Sequence, residues 1–404
     1  MVFASQFRRR HRVLVVLAGV AVLAAATAGC ATGASAPANP GLAGTFTVPA
    51  SIPSDCSRDV TADLLRWIAS VGDGSTLRFV PNGCYRIDGK LLIQNRNNLT
   101  FVGNGATFKP LTDGTQFSPT DARARAVFFF TGGSNITLEN LTVRGAAKLG
   151  LNPNGWSLEA QHAFAVGQTN GFHLNNIHAY DVYGDMVYIG PYTSNVLVEN
   201  STFDGASRMG WAVNGGTNIR FDHNLLQNVA HAMIDQEPPT TGALDGLTVS
   251  NNTFGYGRLY FWNISGASVP IKNVNIVNNT FVNRPMKIQA AAFGTLTNVT
   301  ISGNVVNGPM EQTGVDQSGG GAFFIQNATG VHVTNNRVNM TWGRNITGVN
   351  LAHSSNVVVT GNTWNGGAGS VSYYDMWGPS SNVCWSNNLA YVPVHLEAPS
   401  GGTC

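Results

Sequence analysis

VLVENSTF at residues 196–203, IRFDHNLL at 219–226 and LTVSNNTF at 247–254 share one pattern, with apolar side chains at the first, third and eighth places and asparagine at the fifth or sixth. The pattern returns as ITLENLTV at 136, VNIVNNTF at 274, VTISGNVV at 299, VHVTNNRV at 331 and VVVTGNTW at 357. From residue 196 onward, successive copies begin 23 to 32 residues apart. Each copy holds two or three very short alternating runs divided by Asn or Gly, with almost no helical periodicity between them. A unit of that length cannot bury its apolar face alone. Stacking solves the problem, because a neighbouring coil about 4.8 Å away completes both the backbone hydrogen bonds and the core. Asn suits the corners: it tolerates left-handed backbone, and its amide can bond the Asn of the next coil. The pattern predicts an all-β solenoid of parallel strands.

Composition agrees and removes one class of function. Of 404 residues, 43% are hydrophobic and only 11% charged, with 47 Gly, against roughly 25% charged in an average soluble chain. The net charge of +2 comes with no basic stripe and no interleaved aromatic platform, which argues against nucleic acid as a partner.

The chain divides into three parts. Residues 1–30 read as an export signal: Arg8, Arg9, Arg10 and Arg12 precede an apolar run at 13–28, shorter than the ~20 residues of a membrane span. The run closes on Thr27-Ala28-Gly29-Cys30, which resembles a bacterial lipobox and implies lipidation of Cys30 and a membrane anchor; plain secretion is the alternative. Residues 31–52, rich in Ala, Gly, Pro and Ser, read as a flexible tether. Residues 53–404 form the solenoid domain. Its exposed first edge needs a cover, and residues 59–70 supply one: Asp59 or Thr61 can cap a helix whose Val60, Leu64, Leu65, Trp67 and Ile68 share a face. Of the three pairings open to Cys56, Cys84, Cys384 and Cys404, the economical one joins Cys56 to Cys84 and Cys384 to Cys404.

Against this low-charge background, AMIDQEPP at 232–239 places Asp235 and Glu237 two residues apart. Aligning the coils that begin at Phe172, Val196 and Ile219 puts Val187, Trp211 and Ile234 in one column. Tyr188, Ala212 and Asp235 fall in the next, then Ile189, Val213 and Gln236, then Gly190, Asn214 and Glu237. If Val187 and Ile189 point inward, alternation sends Tyr188, Asp235 and Glu237 out toward solvent. Carboxyls at i and i+2 of a strand can address one sugar unit, one protonating the leaving oxygen and the other activating water or attacking carbon. Arg208 and His231 occupy equivalent places at the mouth of that strand, and Asp185 precedes it one coil earlier. Arg208 can orient a substrate oxygen, and Asp185 or His231 can tune an acid or hold water. Lys287 and Gln289 are candidates to line the groove two coils on. Tyr260 and Trp262 are candidate sugar-stacking rings, whereas Trp211 reads as core by parity.

The repeat over residues 75–385 resembles the right-handed, single-strand parallel β-helix of the pectin-lyase-like superfamily, from which the handedness follows. The polygalacturonase set N-T-D, D-D, G-H-G and R-I-K is not reproduced, and Arg220-Phe221-Asp222-His223 lacks the R-x-P-x-x-R partner of pectate lyases. GDMVYIG, RMGWAV and AMIDQEPP look closer to exported actinobacterial β-helix repeat proteins. The expectation is a monomeric, exported polysaccharide-cleaving enzyme of the glycoside hydrolase type. Asp235, Glu237 and Asp185 are its catalytic candidates, and Arg208, His231, Tyr188, Asn214, Lys287 and Trp262 its substrate contacts. No metal or other cofactor is required. Two alternatives remain: a lyase acting on a uronate glycan, with Ca²⁺ held by the acids, and a non-catalytic wall-binding lipoprotein.

Overall fold

The computed structural model describes residues 41–113, 125–147, 158–236, 243–256, 260–264, 270–282, 286–290, 296–307, 321–339, 346–365, 371–375, 380–391 and 394–396. All described strands pair in parallel, coil upon coil, in a 23-stranded and a 12-stranded sheet. One coil shows how the repeat makes this. The strand Asn170–Val182 bends at Asn176, whose φ of 52° is left-handed. Its first half pairs with Ser194–Glu199 and its second with Thr202–Ala206. The chain then turns into Val187–Ile189, which belongs to the smaller sheet. Most non-glycine corners with left-handed backbone are Asn, as the repeat predicts.

The predicted columns are observed: Val187 pairs with Trp211 and Tyr188 with Ala212, and these continue to Ile234 and Asp235. Val187, Trp211, Ile234, Trp262 and Ile288 form one inward column of fully buried side chains. Trp262 is therefore core, which corrects its expected role as a sugar-stacking ring. The reason is register, since Ile234 pairs with Trp262 and fixes the direction of its ring.

A second internal feature runs down the stack. Asn224, Asn252, Asn279, Asn304, Asn336, Asn362 and Asn388 succeed one another, each amide oxygen accepting from the backbone N–H and the side-chain amide of the Asn before it. Each side-chain amide of this series also donates to a strand carbonyl.

At the N-terminal end the fold begins earlier than expected. Thr45–Thr47 pairs with Thr76–Arg78, and Val48 and Ile52 are buried, so the second half of the expected tether is part of the solenoid. The helix Thr61–Ser70 covers the first coil with Leu64, Trp67 and Ile68, and Trp67 meets Phe79 edge to face. Val60 is its N-cap without a side-chain bond, while Asp59 Oδ1 accepts from the N–H and hydroxyl of Thr61. Cys56 and Cys84 form a disulfide, as expected of an oxidising, extracellular compartment. Cys384 is disulfide-bonded, and Cys404, Cys30 and the rest of the expected export signal lie outside the described residues. Among the described residues no helix is long and apolar enough to cross a membrane.

Two stability outcomes follow. Asn279→Ala strips partners from the Asn252 N–H, the Asn252 amide and the Val249 carbonyl. At about 1–3 kcal/mol for each of these three orphaned groups, the expected loss is at least about 3 kcal/mol, read by urea unfolding and by faster amide exchange in the adjacent coils. Gln236 shares the inward column of Val213 and Ile264 and is fully buried, and neither polar atom of its amide has a hydrogen-bond partner among the described residues. Gln236→Leu is expected to raise stability by about 1–3 kcal/mol in the same assay.

Candidate functional site

Register brings a group of polar side chains to the entrances of successive short strands. Phe164 pairs with Val187, so His162 and Asp185 stand at equivalent places two residues before their strands. Trp211 pairs with Ile234, so Arg208 and His231 stand at equivalent places three residues before theirs. The His231 N–H donates to the Arg208 carbonyl at 3.0 Å, which locks the second pair.

Arg208 is the centre of the group. Its Nη1 donates to both carboxylate oxygens of Asp185 at 2.9 Å, its Nη2 lies 4.0 Å from Asp235 Oδ2, and its Nε lies 3.9 Å from Glu159 Oε2. Asp185 and Asp235 have no exposed surface, and Arg208 is 6% exposed. One guanidinium thus faces three carboxylates in a largely dry setting, where each charge is expensive without its partners.

Both imidazoles are held neutral. Burial, and then the charge of Arg208, push His162 down to about 3 and His231 down to about 4. The backbone N–H of Asp185 donates to His162 Nδ1 at 3.1 Å, so His162 accepts at that nitrogen. The His162 ring stacks on Tyr188 with centroids 5.0 Å apart, and the Asn214 amide reaches the Tyr188 hydroxyl at 3.4 Å. Gln161 and His162 also line a small recess bordered by Arg125 and Tyr183. This recess shares Pro110, Gly145 and Ala146 with an open hollow of about 390 Å³ that Arg86, Lys109 and Arg144 border.

The structure thus joins Asp185, Arg208, His231, Asp235, Tyr188 and Asn214 of the candidates. Asp235 corrects the expectation of a solvent-facing acid. Alternation does turn it away from the Ile234 core, but it is enclosed, with Arg208 drawn against it. Lys287 does not share its column. Asp235 pairs with Asn263 and Asn263 with Gln289, so Gln289 is the register partner two coils on. The Lys287 and Tyr260 side chains and all of Glu237 lie outside the described residues. Among the described residues no cluster of three His, Cys, Asp or Glu is placed to hold a metal.

Sequence reasoning missed Glu159 and His162. A signal for His162 existed, in that it precedes the strand Phe164–Gly167 by the same two residues by which Asp185 precedes Val187–Ile189. The interval from Ile136 to Phe172, longer than any later one, hid it.

No protein-family model matches the chain, and no curated protein matches it. Solved structures do. The Azotobacter vinelandii mannuronan C-5 epimerase AlgE6 A-module is similar with a TM-score of 0.61 at 14% identity, over 88% of this chain and 96% of that one. The catalytic unit of a GH87 α-1,3-glucanase from Streptomyces thermodiastaticus gives 0.61 at 14%, over 88% and 66%. PfbA, a surface adhesin of Streptococcus pneumoniae, gives 0.54 at 14%, over 86% and 91%. With its parallel coils, its inward apolar columns and this likeness, the chain has the right-handed parallel β-helix fold.

Proposed function

We propose that the chain is an exported polysaccharide-cleaving enzyme of the glycoside hydrolase type. Asp235 and Glu237 are its acid pair, and Asp185 and Arg208 fix the geometry around them. The observation that carries this reading is the buried guanidinium of Arg208, gripped by Asp185 and set 4.0 Å from Asp235 and 3.9 Å from Glu159. A chain with only 21 acids concentrates three of them there. Buried charge of this kind costs stability unless function retains it. Hydrolysis needs one carboxyl to protonate the leaving oxygen and a second to activate water or attack carbon. Neutral imidazoles leave that proton traffic to the carboxyls. The likeness to an α-1,3-glucanase supports a glycan substrate, and the epimerase and adhesin show that the scaffold alone does not choose one. Asp235 is enclosed, so this reading requires that substrate binding expose it.

Wild type, Asp235→Asn and Glu237→Gln are incubated with plant, algal and bacterial-wall glycans, and products are sized by mass. Cleavage by wild type, reduced on the order of 10²-fold or more in either variant while circular dichroism shows the variant still folded at the assay temperature, supports the assignment. Full activity in Asp235→Asn would mean that this carboxylate serves only as a counter-ion to Arg208. Products absorbing through a new C=C bond would make the enzyme a lyase.

The imidazoles also set a pH dependence of stability. A histidine whose folded pKa is depressed contributes fully above its unfolded value of 6.5 and loses that contribution as pH falls toward about 3. Between pH 6.5 and about pH 5, His162 alone is expected to remove about 2 kcal/mol. Urea unfolding across this range checks the slope, which flattens in His162→Gln.

A further inference from the structure

We propose that Tyr192 is a stacking platform for a sugar ring at the exit rim of the strand Val187–Ile189, a binding subsite on the same face as the candidate acids. The inference deepens the reading of that face as a polysaccharide groove and rests on it. Two independent features of Tyr192 point this way.

The first is its backbone. Tyr192 has φ 61°, the left-handed region that a bulky L-residue avoids. Asn170, Ser194 and Thr217 share one register, so Gln168, Tyr192 and Gly215, each two residues earlier, share another. All three have positive φ, at 55°, 61° and 123°. The turn therefore demands this conformation in each of these coils. Elsewhere the chain meets the demand mostly with Asn, and one coil later it uses Gly. Tyrosine is a poor choice for the turn itself.

The second is its ring. Tyr192 is 63% exposed and makes no hydrogen bond or ring contact among the described residues. Strain that brings no internal packing is retained for something outside the chain. Tyr192 stands in the turn that directly follows the strand Val187–Ile189, whose Tyr188 hydroxyl meets Asn214. On the preceding coil, Gly167 leaves that face clear, since a Cβ built there meets nothing within 4 Å. A flat, exposed aromatic beside polar side chains fits the apolar C–H face of a pyranose or furanose ring.

The test measures binding of the full-length protein and its variants to polygalacturonate, mannuronan, inulin and solubilised α-1,3-glucan by affinity electrophoresis, with cleavage followed in parallel. Tyr192→Asn removes the ring but suits the turn. It is expected to weaken binding about tenfold and to raise KM, with kcat unchanged and a melting temperature no lower than wild type. Tyr192→Trp is expected to retain binding. Binding that is lost in Tyr192→Asn, with no cleavage by wild type, upholds the platform and defeats the hydrolase reading. Cleavage with KM unchanged in Tyr192→Asn defeats the platform alone. If wild type binds none of the four glycans, the platform is overturned.

Discussion

The buried asparagine ladder is the interaction on which the stacking depends. A parallel solenoid must keep each coil in register with the next, and apolar contacts alone are too undirected to do so. Each ladder Asn is bonded both to its neighbours in the series and to a strand carbonyl, and most of the series is deeply buried. A slip of one residue would leave several buried polar groups unpaired, at about 1–3 kcal/mol each. The ladder starts at Ser201, whose hydroxyl takes the Ile177 N–H and whose own N–H bonds Asn224. Stacked rings run through both regions, with Tyr85 on Phe108 and Phe128 on Phe164 before that point and Phe254 on Phe281 after it.

The candidate site sits where the buried ladder begins. His162 and Asp185 precede it in the chain, whereas Arg208 and His231 follow Ser201 and Asn224, the first members of the polar series. Fixed register makes such a cluster tolerable: Asp185 can grip both edges of its contact with Arg208 only because the two coils cannot slide.

The period, the corner asparagines and three adjacent columns were legible in the sequence because they depend on local alternation and a near-constant interval. Tyr188, Ala212 and Asp235 lie in one line, as ungapped alignment predicts. What covers the line was not legible. Alternation says on which side of a strand a side chain emerges; burial depends on the turns, whose lengths vary and carry no period. Asp235 shows the difference, emerging on the predicted side and yet sealed. Trp262 shows a related limit: its inward direction follows from pairing with Ile234, but the longer interval between coils at 219 and 247 concealed that register.

Sealing changes the chemistry rather than removing it. An exposed pair of acids would interact through water, where a charge at 4 Å is worth about 1 kcal/mol. Inside the cluster the same separation from Arg208 acts through less water and therefore more strongly. With both nearby imidazoles held neutral, Arg208 is the cation that faces Asp185, Asp235 and Glu159 among the described residues. Any ligand that draws Arg208 away, or brings an oxygen between it and Asp235, alters that balance. A scaffold that recurs in an epimerase, a glucanase and an adhesin does not choose a function by itself, so the outward side chains of each chain must be read separately. In this chain those side chains meet at Arg208.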